Sequence, residues 1–242
     1  NHGLVIRRRV LDNPLVEHAH DVGAQVWTGV EVAEPIIEHG HLRGYRAVGS
    51  GCGTGPEGEI EVRARFVVIA DGPLSPFGRA LGTARTRTYA QGVAMRAYFS
   101  SPRHDDDIIE SVFDLRDSAG EQLPGYGWIF PVGDGTVNTG VGLLSHHHGN
   151  DPQSIRELFD KWLNQIPEAW EVDIDSIEGP PEGGRLPMGA SVRPRSGPNW
   201  VVVGDAAGSV NPFNGDGVEP ALSNGRLAAS VIDRAISTGD GL

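Results

Sequence analysis

Apolar residues along the chain fall into three kinds of pattern, and each predicts a different element. Residues 4–7 open as a short strand. Leu11, Leu15, Ala19 and Val22 then recur at helical spacing, with Asn13 and Pro14 suited to a cap and first turn and Gly23 to a stop. Residues 25–32 read as a strand. Residues 34–64 alternate as an antiparallel meander, turning at His39-Gly40 and interrupted by a flexible loop over 50–58. The run Phe66 to Ala70 has no alternation, as in a parallel strand buried on both faces. Further alternating strands are expected over 92–99, 108–115, 127–131 and 137–143, with Gly133-Asp134-Gly135 as the turn between the last two. Asp151-Pro152 opens a helix carrying Ile155, Leu158, Phe159, Trp162 and Ile166 on one stripe. Residues 179–195 read as a Pro/Gly-rich connection. Trp200 to Val203 returns to the buried-strand pattern, and an Ala-rich helix follows from Val218 to about Ile236.

Two intermixed units account for this order. One is α/β, from residues 1–85 and 196–242; the other, residues 86–195, is an antiparallel-sheet domain with helix cover. The fold class is therefore α/β, with α+β character overall. Composition fits a globular chain of 242 residues, 38% hydrophobic and 21% charged. A net charge of −12 argues against a nucleic-acid partner and against broad attraction to anionic lipid. No apolar run reaches the roughly 18 residues of a transmembrane helix. Signal-peptide order is not visible either, and the chain starts without Met inside a strand-like run, so the biological start is expected upstream. The single Cys52 suits a reducing compartment.

The densest chemistry lies after the last buried strand, in Gly204-Asp205-Ala206-Ala207-Gly208 continuing to Pro212-Phe213-Asn214-Gly215-Asp216-Gly217-Val218. Asp205 stands at a strand's carboxyl end, where α/β folds bind ligands, and its carboxylate can accept hydrogen bonds from polyol hydroxyls. Gly215 and Gly217 open a helix whose free N–H groups and dipole favour negative charge. The competing reading is a strand–turn–helix connection that needs glycine for its geometry. Asp71 and Gly72, with Ser75, repeat the theme after the Phe66 to Ala70 strand; here Asp71 is either a cap or a ligand group. Tyr126, Trp128 and Phe130 alternate within Gly125 to Pro131 and so share one face of a strand. That face is either sheet core or the apolar wall of a site. His146-His147-His148 and Arg103 to Asp107 read as solvated turns, and no metal site is expected.

The motif Ala70-Asp71-Gly72-x-x-Ser75 resembles the DG motif of the glutathione-reductase-type flavoproteins of the aromatic-hydroxylase class. The Gly204-Asp205 run resembles that class's second FAD motif. Arg8-x-x-Leu11-Asp12-x-x-Leu15 is similar to the helix after the class's third strand. The segment Tyr126-x-Trp128-x-Phe130-Pro131 narrows the likeness to the geranylgeranyl reductases, which include the menaquinone prenyl-chain reductases; flavin-dependent halogenases carry a related segment. No GxGxxG unit of the kind that begins the class is recognisable in this sequence, and the family usually extends beyond the last helix.

The resemblance implies an FAD cofactor reduced by NAD(P)H or another donor. It implies hydride transfer from reduced flavin to an isoprenoid C=C bond of menaquinone or a geranylgeranyl lipid. By the same likeness, Arg8 approaches the pyrophosphate or adenosine, and the backbone near Val30 approaches the adenine. Asp71 and Gly72 support the region between pyrophosphate and nicotinamide. Asp205 approaches the ribityl chain, and Gly217 and Val218 present N–H groups to the flavin carbonyl edge; Gly204, Pro212 and Gly215 belong to the same cofactor-binding set. Tyr126, Trp128 and Phe130 line the substrate cavity. No catalytic acid stands out. A polyprenyl substrate implies a cytoplasmic protein in peripheral contact with the inner face of a membrane. Two alternatives remain open: an FAD-dependent aromatic hydroxylase or halogenase on the same scaffold, and a truncated, non-catalytic fragment unable to hold FAD.

Overall fold

A computed structural model describes residues 4–86, 88–89, 91–117, 119–145 and 155–239. In chain order the elements are α1 (Arg8–Asp21), β1 (Val30–Glu38), β2 (His41–Gly49), β3 (Gly58–Arg63), β4 (Val67–Ile69), α2 (Pro76–Ala80), β5 (Ala84–Arg85) and β6 (Gln91–Ser100). They continue with β7 (Glu110–Val112), β8 (Gly125–Pro131), β9 (Thr136–Ser145), α3 (Ile155–Leu163), β10 (Glu182–Pro187), β11 (Val192–Arg193), β12 (Trp200–Val202) and α4 (Val218–Thr238). The chain forms two compact units: Asn1–Asn13 with Ala90–Leu186, and Pro14–Tyr89 with Pro187–Leu242.

The first unit is a five-stranded antiparallel sheet in the order β10-β6-β9-β8-β7. One face is its core. Phe99, Ile129, Val137 and Val141 pack there with Phe159 and Trp162 of α3 and with Trp170, all at most 1% exposed. The stripe on α3 explains the packing, since Leu158, Phe159 and Trp162 lie at helical spacing and are its buried residues. Asp151 and Pro152, the expected start of this helix, lie outside the described residues, as do His146 to His148. Gly133 and Gly135, both at positive φ, make the β8–β9 turn that no L side chain accommodates as readily. Arg7 holds the start of the chain to this unit: its guanidinium donates to Asp134, to Glu178 (2.7 Å) and to Thr136 Oγ1 (2.9 Å), and stacks over the Tyr98 ring.

The second unit carries the meander β1-β2-β3, the parallel pair β12-β4 and the small antiparallel pair β11-β5. Its core gathers Leu42, Ile69, Phe77, Val202, Ala206 and Ala207. Asn199, 3% exposed, ties the meander to the parallel pair. Its side chain donates to the carbonyls of Leu42 (2.5 Å) and Arg65 (2.8 Å) and accepts from the Leu42 N–H (3.1 Å).

Several expectations are corrected. Residues 4–7 are not a strand. Pro14 sits inside α1 rather than in its first turn. The strand expected over 25–32 begins at Val30, because residues 26–28 are engaged by the loop at 50–58. Thr54 Oγ1 donates to the Val26 carbonyl (2.9 Å) and accepts from the Thr28 N–H (3.1 Å), while the Thr54 N–H donates to Thr28 Oγ1 (3.0 Å). That loop is consequently packed: a Cβ on Gly53 would stand 2.0 Å from the Thr28 carbonyl oxygen. The 108–115 strand shortens to β7. The 179–195 connection contains β10 and β11. Gly183 approaches the Ala94 carbonyl closely enough that a Cβ would stand 2.8 Å away, so glycine there serves sheet packing while weakening the strand signal. The run Phe66 to Ala70 is not buried on both faces: β4 pairs with β12 alone among the described strands, and Val68 is 44% exposed.

Candidate functional site

In the second unit, β4 and β12 run parallel in register, Val67 opposite Trp200 and Ile69 opposite Val202. The bond from the Val203 N–H to the Ile69 carbonyl (2.9 Å) extends the pairing one step. Asp71-Gly72 and Gly204-Asp205 therefore leave adjacent strands at the same sheet end, the end at which α/β folds bind ligands. Asp71 Oδ2 accepts from the Phe77 N–H (3.0 Å), so one oxygen caps the short helix α2. Gly72 has φ 79° with open space where a side chain would project. Ser75, 5% exposed, places its Oγ in the interior with no partner among the described residues.

The chain after Asp205 folds back through a short 3₁₀ turn over Gly204–Ala207, with Ala206 and Ala207 in the core. The loop that follows is built on side-chain caps. Asn211 Oδ1 accepts from the Phe213 N–H (2.9 Å), Asn214 Oδ1 from the Asp216 N–H (2.9 Å), and Asp216 Oδ1 from the Val218 N–H (2.9 Å). These bonds order Pro212 and Gly215 and leave Phe213 96% exposed at the loop tip. They also engage Val218, one of the two N–H groups expected to face a ligand, with the Asp216 carboxylate. Asp216 is thus a functional cap that sequence reading passed over, although an acid just before a helix is its ordinary signal.

Gly217 supplies the test of whether a flavin fits. A Cβ at this position would lie 3.4 Å from Asp205 Oδ1 and 3.4 Å from Val210 Cγ2. The Asp205 carboxylate and the amino end of α4 therefore stand side by side, with no side chain at Gly217 between them. A hydrogen-bond acceptor for ribityl hydroxyls and a helix N-terminus for an electron-rich ring edge are the donor and acceptor set FAD requires. The residues present fit the cofactor at its ring and ribityl end. A cavity of about 920 Å³ in this unit lies elsewhere, between α4 (Asn224, Leu227, Ala228, Val231) and residues 193–203, and excludes Asp205 and Gly217 from its lining. Val30 lines a smaller opening of about 410 Å³ with Gly29, Glu31, Val48 and Ser50. Arg8 belongs to the other unit, exposed on α1 and paired with Asp12 (3.0 Å).

In the first unit, β8 sorts its residues by face. Gly127, Ile129 and Pro131 are buried, and Gly127 makes room for Trp162, whose ring would stand 2.5 Å from a Cβ there. Tyr126, Trp128 and Phe130 occupy the opposite face, half-buried, so they are not the sheet core. Their ring centroids are spaced 5.8 and 6.1 Å apart, and Phe113 adds a fourth ring 5.7 Å from Tyr126. Trp128 lies across β9. Its Nε1 donates to Asn138 Oδ1 (2.8 Å), and a Cβ on Gly140 would stand 2.5 Å from the indole. Burial raises the Tyr126 hydroxyl above its ordinary pKa. Asn138, Gly140 and Phe113 were not among the expected residues; the Asn138-x-Gly140-x-Gly142 alternation, which leaves one strand face nearly bare, was the available signal.

Comparisons agree with this architecture. The chain is 36% identical over 236 residues to the menaquinone reductase of Mycobacterium tuberculosis, covering 96% of this chain and 55% of the relative. It is 32% identical over 246 residues to the digeranylgeranylglycerophospholipid reductase of Methanosarcina mazei, covering 98% and 55%. Among solved structures, a geranylgeranyl bacteriochlorophyll reductase-like protein from Thermoplasma acidophilum matches with a TM-score of 0.79 at 25% identity, over 97% of this chain and 55% of that one. A flavin-dependent brominase shares the fold, with a TM-score of 0.69 at 18% identity over 98% of this chain and 57% of that one. The chain thus spans about half the length of these relatives. A family profile described as FAD binding domain matches residues 4–239, and the chain belongs to that family.

Proposed function

We propose that this chain is part of an FAD-dependent oxidoreductase that reduces isoprenoid C=C bonds of a polyprenyl lipid or quinone. The observation that carries the reading is the aromatic face of β8: three rings turned away from the core, with Trp128 fixed by Asn138, in a chain 36% identical to a menaquinone reductase. A polyprenyl chain offers few polar handles, and an apolar floor of locked rings suits it.

Bound FAD, reduced by NAD(P)H or another donor, supplies the reducing chemistry. Asp205 accepts hydrogen bonds from its ribityl hydroxyls, with Gly204 holding the turn. Gly217 presents bare backbone to the ring edge, and the amino end of α4 favours negative charge there. Pro212 and Gly215 shape the loop beside it. Because Asp216 engages the Val218 N–H, that amide reaches the ring only if the Asp216 carboxylate yields it. Asp71 and Gly72 border the pyrophosphate side, and Arg8 and Val30 serve the adenosine end. Tyr126, Trp128 and Phe130 hold the alkene and exclude water. No described helix is long and apolar enough to cross a membrane. Access to a lipid substrate would then be by peripheral contact on the cytoplasmic side.

The test is to purify the chain, record flavin absorbance, and follow menaquinone and a geranylgeranyl lipid by mass spectrometry with a reductant present. Saturation of one isoprene unit, a gain of two hydrogens, supports the proposal. Unchanged lipid together with hydroxylated or halogenated aromatic compounds overturns it.

A further inference from the structure

Phe113 stands outside the motif that defines the aromatic strand, yet it completes it. Val112 pairs with Gly127, so the next residue on β7's side of the sheet comes beside Tyr126. The Phe113 and Tyr126 rings are 5.7 Å apart, nearly the same step as Tyr126 to Trp128 and Trp128 to Phe130. Phe113 is 65% exposed, whereas Phe99 and Phe159 in the same unit are fully buried. A ring this exposed adds little to the core. Its backbone is nonetheless held, since Gln122 Nε2 donates to the Phe113 carbonyl (3.2 Å). The flanking Asp114 pairs with Arg116 (2.7 Å), which keeps those charges occupied with each other. A held backbone thus presents an apolar ring at one end of a continuous aromatic row.

We propose that Phe113 is a substrate-positioning residue that extends this strip and sets the length of apolar chain the face grips. The inference rests on the polyprenyl reading above. A ring at the end of a row touches only chains long enough to reach it, so its contribution grows with chain length. Rings nearer the middle contribute to short and long chains alike.

The experiment compares the wild-type chain with Phe113→Ala and Phe113→Trp by equilibrium dialysis against geraniol, farnesol and geranylgeraniol. Wild-type affinity is expected to rise along the series. Phe113→Ala keeps the geraniol affinity and loses about 5- to 10-fold for geranylgeraniol, the scale of one ring's apolar contact. Phe113→Trp restores the long-chain preference. Equal affinities for wild type and Phe113→Ala overturn the proposal, and so does an equal loss for all three alcohols, which marks a structural role. Dissociation of a wild-type oligomer by Phe113→Ala in sedimentation also overturns it, because the ring then belongs to an interface between copies. Wild-type protein that binds none of the three alcohols overturns the polyprenyl reading itself.

Discussion

Trp128 shows how much one side chain depends on small neighbours. Its indole lies flat only because Gly140 has no Cβ, and it is oriented only because Asn138 accepts its N–H. The bond is part-buried, so removing the Asn138 amide leaves the half-buried indole N–H without this acceptor. Asn138→Ala is expected to cost about 1–2 kcal/mol in denaturant unfolding and to lower turnover while flavin stays bound. Gly140→Ala forces a methyl to within 2.4 Å of the Met95 carbonyl oxygen and 2.5 Å of the indole. A loss of about 1–3 kcal/mol is expected in the same measurement. Trp128→Ala separates function from folding: turnover falls with flavin absorbance retained, whereas loss of flavin would make the indole a folding residue. The alternation of Tyr126, Trp128 and Phe130 was legible in the sequence. Which face they occupy was not, because alternation is symmetric until the packing of Trp162 on Gly127 identifies the core side.

Among the elements, the strands with clean period-two patterns were legible, β8 and β9 with their glycines included, and β10 was not. β10 was read as a connection because Glu182-Gly183-Gly184 lacks side chains to alternate; its pairing with β6 is decided by the space available at that edge. The parallel pair depends on Asn199, whose three bonds join β2 to the chain before β4. Nothing local marked this residue, since its partners lie 134 and 157 positions away. Asn199→Ala leaves the Leu42 and Arg65 backbone groups without these bonds inside the protein. A loss of about 3 kcal/mol is expected, at the upper end of the cost of an unsatisfied buried group, and thermal unfolding monitored by circular dichroism checks it. The helix α4 was read nearly to the residue, because Val218 follows an acid and two glycines and an Ala-rich run sustains it.

At the scale of the whole molecule, Arg7 and the β8–β9 turn couple positions 127 residues apart, and the coupling is sensitive to pH. Partial burial works to raise the Asp134 carboxyl, but hydrogen bonds from Thr136 and Arg7 outweigh it and the net displacement is downward. A folded-state value below the unfolded one gives stability that is present above the unfolded carboxylate range and lost as pH falls through the folded value. Wild type should therefore exceed Arg7→Ala in thermal stability near neutrality, and the gap should narrow as the buffer is taken into the acid range. With a net charge of −12, vesicle sedimentation should also show weaker association with phosphatidylserine than with phosphatidylcholine at low salt, a difference that salt removes. By itself the sequence determined the mixed α/β character, the Asp205 and Asp71 motifs after unalternating strands, and the aromatic spacing of β8, because these depend on local period and on residue type. Tertiary structure alone decided that Asp205 and Gly217 stand side by side, that Asp216 rather than open space meets the Val218 N–H, and that Phe113 joins the aromatic row. Those facts depend on distances between segments far apart in the chain, which no local pattern encodes.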